Sequence, residues 1–318
     1  MPAIHNKTYK RPLPFFSGHL ETIYPSLFRK VDGLVDHTRE RLMLSDGDFV
    51  DLDWRQQGSK KLVIVQHGLE GSSDRPYVLG IVKHFYHHDF DALAWNYRGC
   101  SGEMNQKVRF YHSGATDDLD EVIQRALQDY DQIYLVGFSL GGNMTLKYLG
   151  EETRSEKIKG AVAISTPLDL DKGSDQLSTP QGVIYEKRFL KSLLKKVKAK
   201  AELMPDQIDT EPLSQIKTIR QFDDYFTSKL HGYKDATDYY QRCSSKYFLK
   251  GIQVPTLIIN AKNDPFLTPE SLDHSLTINL PNVTLETTTH GGHVGFISQN
   301  KDNVYWSEER ALQFCLNI

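Results

Sequence analysis

The chain has 318 residues, of which 39% are hydrophobic and 25% are charged, and its formal net charge is -3. These values are typical of a folded globular protein and exclude a collagen-like, disordered or disulfide-scaffold chain. The absence of a basic excess also argues against nucleic acid as a partner.

The cysteines and the apolar runs indicate the compartment. Cys100, Cys243 and Cys315 are odd in number and widely spaced, which favours free thiols in a reducing compartment over a disulfide framework. Residues 1–16 lack the apolar core of a signal peptide. No apolar run reaches the roughly 18 residues that a membrane span needs. The sequence therefore predicts a cytoplasmic protein without a transmembrane segment.

Short apolar runs followed by helical patterns recur along the chain. A hairpin is predicted first, from Leu42–Ser45 and Phe49–Trp54 joined through Asp46-Gly47. The predicted strands that follow are Lys61–Gln66, Asp91–Asn96, Gln132–Val136, Gly160–Ser165, Val254–Asn260 and Val283–Thr288. Helical patterns lie at Tyr77–His88, Asp117–Asp129 and Leu140–Leu149. Runs that are apolar on both faces and separated by helices predict an α/β fold, with a mostly parallel sheet of about eight strands flanked by helices.

The alternation stops between Pro167 and Leu249, where helical patterns replace strands. A long excursion between two sheet strands predicts a helical cap, inserted at residues 167–250 of a single domain spanning 1–318. Within it, Glu186–Lys200 carries seven basic residues and one acidic residue around an apolar stripe. This helix is either a solvated face over a buried stripe or a surface for peripheral contact with a membrane.

A nucleophile is predicted at Ser139. Gly137-Phe138-Ser139-Leu140-Gly141 matches the GxSxG pattern, with an apolar strand before it and a helical pattern after it. This is the context of a nucleophile elbow, a tight turn that exposes the serine hydroxyl. The helix that begins at Leu140 directs its N–H groups toward developing negative charge.

A serine hydroxyl needs a base, and the base needs an acid that orients it. His293 lies in a glycine-rich loop after the last predicted strand and is the predicted base, with His290 as the alternative. Asp264 directly follows the Val254–Asn260 strand and is the predicted acid. The order Ser139, Asp264, His293 is the one expected for an α/β-hydrolase fold.

Two backbone N–H groups are predicted to form the oxyanion hole. One belongs to Leu140, the residue after the nucleophile, and the other to Leu69, in the turn after the Lys61–Gln66 strand. His67, in the same turn, is expected to be a structural hydrogen-bonding residue.

Several motifs together resemble the YheT-like branch of the α/β-hydrolases. The resemblance runs from about Phe15 to the C-terminus and implies a serine esterase whose catalytic triad maps onto Ser139, Asp264 and His293. The motifs are Gly18-His19-Leu20-Glu21-Thr22-Ile23-Tyr24-Pro25, HGLEGSSDRPY, Asn96–Gly102, GFSLGGN, GGHVGF, Phe222–Phe226, His231-Gly232 and Asp238-Tyr239-Tyr240. The branch is related to eukaryotic lipid-hydrolysing proteins with an N-terminal membrane anchor, and this chain departs from them by lacking that segment, as in a soluble bacterial-type member.

The residues thus predict a serine carboxylic-ester hydrolase that forms an acyl-enzyme. Its expected substrates are small apolar esters of short to medium chain length, or monoacylglycerol-like lipids. An acyltransferase or a thioesterase is an alternative, because other acceptors can capture the acyl group. A non-catalytic ligand-binding protein of the same fold is the alternative from another class. No metal and no cofactor are predicted, since neither a metal-ligand spacing nor a nucleotide motif occurs.

Overall fold

The computed structural model describes residues 4–5 and 9–318 of the chain. The prediction that residues 1–16 contain no signal peptide falls partly outside these described residues. The strands are β1 (Ile4–His5), β2 (Thr38–Met43), β3 (Phe49–Arg55), β4 (Lys61–Gln66), β5 (Asp91–Asn96), β6 (Gln132–Phe138), β7 (Ile158–Ile164), β8 (Thr256–Ala261) and β9 (Val283–Thr288).

These strands form one sheet in the order β1-β9-β8-β7-β6-β4-β5-β3-β2. β3 is antiparallel to its neighbours β2 and β5, and the other neighbouring pairs are parallel. The predicted mostly parallel sheet and its N-terminal hairpin are therefore confirmed, but the first strand of the hairpin lies at Thr38–Met43 and not at the predicted Leu42–Ser45. The sheet has nine strands because the two-residue β1 pairs with β9, and β1 is too short to be recognised as a strand from its sequence.

Helices connect the strands. They are α1 (Gly18–Phe28), α2 (Pro76–Tyr86), α3 (Thr116–Leu127), α4 (Leu140–Glu151), α5 (Leu170–Leu177), α6 (Val183–Leu203), α7 (Ile219–Phe222), α8 (Ser228–His231), α9 (Ala236–Cys243) and α10 (Trp306–Leu316). A π-helical turn at Asp223–Thr227 joins α7 to α8. Side chains set the beginnings of several helices; at α1, for example, the Ser17 hydroxyl accepts the Leu20 N–H over 3.2 Å.

Strand β4 shows how the sheet forms two cores. Leu62 and Ile64 pack into one core with α3 and α4, whereas Val63 and Val65 pack into the other with α2 and α10. Successive side chains of a strand point to opposite faces of the sheet. A strand with apolar residues at every position is therefore stable only where helices cover both faces.

The chain between β7 and β8, residues 165–255, contains α5 to α9 and no strand. We call it the α5–α9 segment. Its apolar side chains form a third core, in which Leu193 and Val197 of α6 pack with Phe222 and Phe226. Leu69, from the turn after β4, packs against this third core. The α5–α9 segment thus contacts the carboxyl edge of the sheet, where the parallel strands end.

Candidate active site

Ser139 lies in the sharp turn between β6 and α4, with φ of 53° and ψ of -113°. A positive φ is costly for a residue other than glycine and is kept only where the surroundings impose it. A Cβ atom on Gly137 would lie 2.5 Å from the Thr145 hydroxyl oxygen, and one on Gly141 would lie 2.6 Å from the His67 carbonyl oxygen. Both glycines are therefore needed for strand, turn and helix to pack this closely.

His293 and Asp264 follow the adjacent parallel strands β9 and β8. The Nδ1–H of His293 donates to Asp264 Oδ2 over 2.8 Å, and both side chains are buried. Asp264 Oδ1 accepts the Phe266 N–H over 2.8 Å, and the Phe266 ring stacks on the imidazole with a centroid distance of 4.0 Å. Because Nδ1 carries the proton given to the carboxylate, Nε2 is the acceptor nitrogen of this ring.

Ser139 and His293 line the same two cavities. The structure thus brings the three side chains predicted as nucleophile, base and acid to one place, although they come from three loops. His290, the alternative base, lines neither cavity, and its half-buried ring has no hydrogen-bond partner at Nδ1 among the described residues. The carboxylate of Asp264 pairs with His293 instead.

The backbone N–H groups predicted for the oxyanion hole belong to Leu69 and Leu140, which both line the cavity beside Ser139. Leu140 is the first residue of α4, and no side chain caps this helix, so its N–H has no partner within the helix. In the turn after β4, the N–H groups of Gly68 and Glu70 donate to tyrosine hydroxyls. Within the described part of the chain, the Leu69 N–H between them donates to no acceptor.

His67 is fully buried beneath this turn. Its Nδ1 donates to the Gly68 carbonyl over 2.8 Å, and its Nε2 accepts the Tyr97 N–H over 3.4 Å. Burial lowers the pKa of His67 to about 3, so the ring is neutral and holds the backbone of the turn in place. This arrangement agrees with the structural role expected for His67.

Helix α1 supports the His293 loop through contacts that were not predicted from the sequence. Thr22 Oγ1 accepts the His293 N–H over 2.8 Å and donates to the Gly18 carbonyl over 2.6 Å. The buried Glu21 carboxylate accepts the Asn263 amide over 2.5 Å, and Asn263 Oδ1 accepts the Gly292 N–H over 3.0 Å. The only sequence signal was the motif at Gly18–Pro25, which carried no assignment of its own.

The first cavity extends from Ser139 into the α5–α9 segment. It has a volume of about 880 Å³, including its opening to solvent. Its wall is mostly apolar and includes Leu170, Leu177, Phe189, Leu193, Ile219 and Phe222.

Asp223 also lines this first cavity. Its Oδ1 accepts the Thr227 hydroxyl and its Oδ2 accepts the Tyr240 hydroxyl, over 2.5 and 2.6 Å. Burial raises the pKa of Asp223 to about 6. The sequence motif at Phe222–Phe226 gave no indication that Asp223 would be a polar position in the wall.

A second cavity of about 1150 Å³ meets the first at Ser139, His293, Leu69, Phe189 and Phe266. Its remaining wall comes from α1, from the turn after β4 and from the start of α6, and it includes Arg75 and Arg188. The site therefore has an apolar arm and a more polar arm, with the serine between them.

The described residues contain neither a metal-ligand cluster nor a membrane-spanning helix. No group of three or more His, Cys, Asp or Glu side chains there is arranged to hold a metal ion. None of the helices there is both long enough and apolar enough to cross a membrane.

Known proteins resemble this chain in sequence and in fold. A family model described as the alpha/beta hydrolase fold matches residues 61–299. The chain is 38% identical over 304 residues to a protein of Escherichia coli (strain K12) named "Putative esterase YheT", covering 90% of this chain and 86% of that one. It is 33% identical over 260 residues to a monoacylglycerol lipase of Saccharomyces cerevisiae, covering 79% of this chain and 58% of the lipase. A solved structure of an esterase from Pyrococcus furiosus matches with a TM-score of 0.58 at 18% identity, over 91% of this chain and 98% of that chain.

These comparisons agree with one another. The family model covers most of the chain, and the Escherichia coli protein aligns along nearly its whole length. The solved structure, at low identity, supports the fold alone. The chain therefore belongs to the α/β-hydrolase family, in its YheT-like branch, and is a hydrolase of the esterase and lipase type.

Proposed function

We propose that this hydrolase cleaves carboxylic esters through an acyl-enzyme, with Ser139 as nucleophile, His293 as base and Asp264 as the orienting acid. The observation that carries the proposal is the 2.8 Å pair of His293 and Asp264 at the cavity that also holds the strained Ser139 turn. A serine, a histidine and a carboxylate in this relation form the recurring machinery of acyl transfer to water.

The reaction begins when His293 Nε2 takes the proton of the Ser139 hydroxyl while Oγ attacks the ester carbonyl carbon. The N–H groups of Leu69 and Leu140 hold the resulting oxyanion, and each such donor is worth roughly 3 kcal/mol in the transition state. Protonated His293, stabilised by Asp264, then gives its proton to the leaving alcohol. Water attacks the acyl-enzyme with His293 again as base, and the carboxylic acid leaves.

The two arms of the site support a division of the substrate. The first cavity, with its leucine, isoleucine and phenylalanine wall, suits an apolar acyl group. The second cavity, with its arginines, suits the alcohol part that leaves. Short- to medium-chain esters and monoacylglycerol-like lipids fit this division. The names of the similar proteins, an esterase and a monoacylglycerol lipase, point to the same class.

Within the α5–α9 segment, residues 167–250 act as a cap over the serine, inserted into a single catalytic domain spanning 1–318. It supplies most of the first cavity's wall. Lys196 of α6 pairs with Glu70 over 2.9 Å, and Ser192 also donates to Glu70. Because Glu70 follows Leu69, this cap contacts the turn that carries one oxyanion donor.

The protein works in a reducing compartment such as the cytoplasm. Cys100, Cys243 and Cys315 are all free and buried, and burial raises the pKa of Cys100 and of Cys243 to about 11. Thiols kept neutral in this way are poor nucleophiles and serve as packing residues.

Covalent labelling tests the assignment of the nucleophile. We expect a fluorophosphonate probe to modify the folded protein once, and peptide mass mapping to place the label on Ser139. Heat-unfolded protein is the control and should not react, because the hydroxyl is activated only by the folded site. A label on another serine would contradict the assignment, and no label on folded protein would contradict the esterase itself.

A chain-length series tests the acyl pocket. With p-nitrophenyl esters from acetate to laurate, we expect kcat/KM to rise by up to about fourfold for each methylene buried, and then to fall once the first cavity is full. The measurement is initial rate against ester concentration below the solubility limit of each ester. Equal kcat/KM for all chain lengths would contradict an apolar acyl pocket.

Gly18→Ala tests the support that α1 gives to His293. The new Cβ atom would overlap the backbone carbonyl of Asn263, so α1 or the Asp264 loop must move. We expect kcat to fall by roughly 10-fold to 100-fold through misplacement of the base, and stability to fall by about 1–3 kcal/mol through overpacking. Ester hydrolysis and thermal unfolding measure the two effects. Leu20→Ala, at an exposed position of the same helix, is the control, and equal kcat in both variants would contradict the supporting role.

A further inference from the structure

Helix α1 presents its apolar side chains to solvent. Leu27 is 58% exposed and Phe28 is 64% exposed. The exposed stripe follows the i, i+3, i+4, i+7, i+8 spacing of one helical face and consists of Leu20, Ile23, Tyr24, Leu27 and Phe28. In a soluble domain such a face normally packs on the core, so its exposure indicates an interaction surface.

The opposite face of α1 is small and polar, and it is fixed to the protein. Thr22 contacts the His293 backbone, and Arg29, just after the helix, forms a buried ion pair with Glu308 over 2.5 Å. The helix therefore cannot turn its apolar stripe inward without breaking the contacts that hold the base.

The exposed apolar area continues beyond α1. Leu13 is 81% exposed and Phe16 is 72% exposed. Phe15, between them, packs against Tyr24 of α1 at a ring-centroid distance of 4.9 Å, so this segment lies beside the helix. Ile184, 72% exposed, lies at the start of α6, which is joined to α1 by a 2.8 Å hydrogen bond between Tyr185 and His19. We call the α1 stripe together with Leu13, Phe16 and Ile184 the apolar rim.

The apolar rim borders the active site. Ile23 belongs to the rim and also lines the second cavity, as does Ser26 of the same helix. Across this cavity lies Arg188, from the first turns of α6. A molecule that covered the rim would therefore lie next to the opening that leads to Ser139.

The exposed side of α6 is basic. The exposed cations recur at helical spacing and are Lys187, Arg188, Lys191, Lys195 and Lys198. None of the five forms an ion pair with a carboxylate of the described residues, whereas Lys196 and Lys200, on the other side of α6, contact Glu70 and Asn105. We call these five cations the basic face.

We propose that the apolar rim and the basic face together dock the enzyme on an anionic lipid surface, with the second cavity open toward the lipid. Apolar side chains favour the boundary between headgroups and acyl chains, and each nearby cation adds about fivefold to the affinity for anionic lipid. The proposal rests on the proposed function in one respect, since it implies that the ester is taken from the lipid phase.

The charge distribution favours lipid over a second copy of the chain. A symmetric dimer built on the apolar rim would bring two basic faces close together, and it would obstruct the second cavity of each copy. An anionic surface instead neutralises the basic face and supplies an apolar ester at the cavity opening.

Co-sedimentation with vesicles tests the docking independently of catalysis. The full chain carrying Ser139→Ala is mixed with vesicles of phosphatidylcholine alone or with phosphatidylglycerol added. We expect binding to the anionic vesicles that weakens as salt is raised. Adding Leu27→Glu and Phe28→Glu should lower the binding constant by about 100-fold or more, and Lys187→Gln with Lys191→Gln should lower it by about 25-fold.

Met43→Glu is the matched control. Met43 is 56% exposed on β2, at the far edge of the sheet from β1 and β9, and its replacement should leave vesicle binding unchanged. The Leu27→Glu/Phe28→Glu variant is also made in the protein that retains Ser139. Its circular dichroism spectrum and its turnover of soluble p-nitrophenyl acetate establish that it is folded, since neither residue lines a cavity beside Ser139.

Each outcome bears on the proposal. Absence of binding to anionic vesicles, or equal binding by the rim variant and by Met43→Glu, would overturn it. A dimer in sedimentation equilibrium that Leu27→Glu/Phe28→Glu dissociates, with no vesicle binding, would assign the rim to a second copy. If the protein binds anionic vesicles but hydrolyses no ester, the docking surface is supported and the proposed function is refuted.

Discussion

Replacing Ser139 by alanine is expected to lower kcat for p-nitrophenyl butyrate by about 10⁶-fold, down to the background left by the oxyanion donors. The side chain supplies the attacking oxygen, and no acyl-enzyme can form without it. The variant should still fold, because alanine removes one oxygen atom from a turn whose shape is imposed by the surrounding glycines. Initial rates of ester hydrolysis and the thermal midpoint measure the two expectations.

Ser174→Ala is the matched control for this prediction. Ser174 also lines the first cavity, and it hydrogen-bonds to the Tyr240 hydroxyl over 3.2 Å. Losing this hydrogen bond should cost about 1 kcal/mol, which corresponds to roughly a fivefold effect at most. Turnover that survives in Ser139→Ala would show that another residue is the nucleophile.

Asp264→Asn is expected to lower kcat by about 10⁴-fold while KM changes little. The carboxylate accepts the Nδ1–H of His293 over 2.8 Å, and this contact leaves Nε2 free to accept the serine proton. An amide can donate to Nδ1 and so favour the tautomer with the proton on Nε2, which cannot act as the base. The carboxylate also stabilises the imidazolium that forms during the reaction, and a neutral amide does so far less.

The thermal midpoint separates this loss of catalysis from a loss of structure. Loss of packing would change the thermal midpoint, whereas Asn nearly matches Asp in shape and should leave it almost unchanged. Asp302→Asn, at an exposed position, controls for removal of a negative charge. A fall in kcat of less than tenfold in Asp264→Asn would mean that another group orients the base.

The positions of most strands could be predicted accurately from the sequence. The observed bounds of β4, β5 and β9 are those expected from Lys61–Gln66, Asp91–Asn96 and Val283–Thr288. Strands β4 and β5 are apolar on both faces, whereas β9 alternates Val283 and Leu285 with polar residues. Each pattern is a local signal for a strand. The two-residue β1 carries no such signal, and it is recognised as a strand only through its pairing with β9.

The predicted site residues are also near one another in the structure, for a reason visible in the sequence. Ser139, Asp264 and His293 each follow a predicted strand, and the carboxyl ends of parallel strands meet at one edge of the sheet. Strand order alone could not decide between His290 and His293, because both lie after β9. In the folded chain His293 pairs with Asp264, in a loop where Gly291 and Gly292 have positive φ.

Short stretches of the chain thus specify the strands, the glycine-bounded turn at Ser139, and the order of the three predicted site residues. Tertiary structure alone decided which distant groups meet. Thr22 reaches the His293 backbone across 271 residues of sequence, Asp223 lies in the wall of the apolar cavity, and the apolar stripe of α1 faces outward. The physical reason is that periodicity and turn chemistry act over a few residues, whereas burial and hydrogen bonding between loops depend on where the whole sheet places their ends.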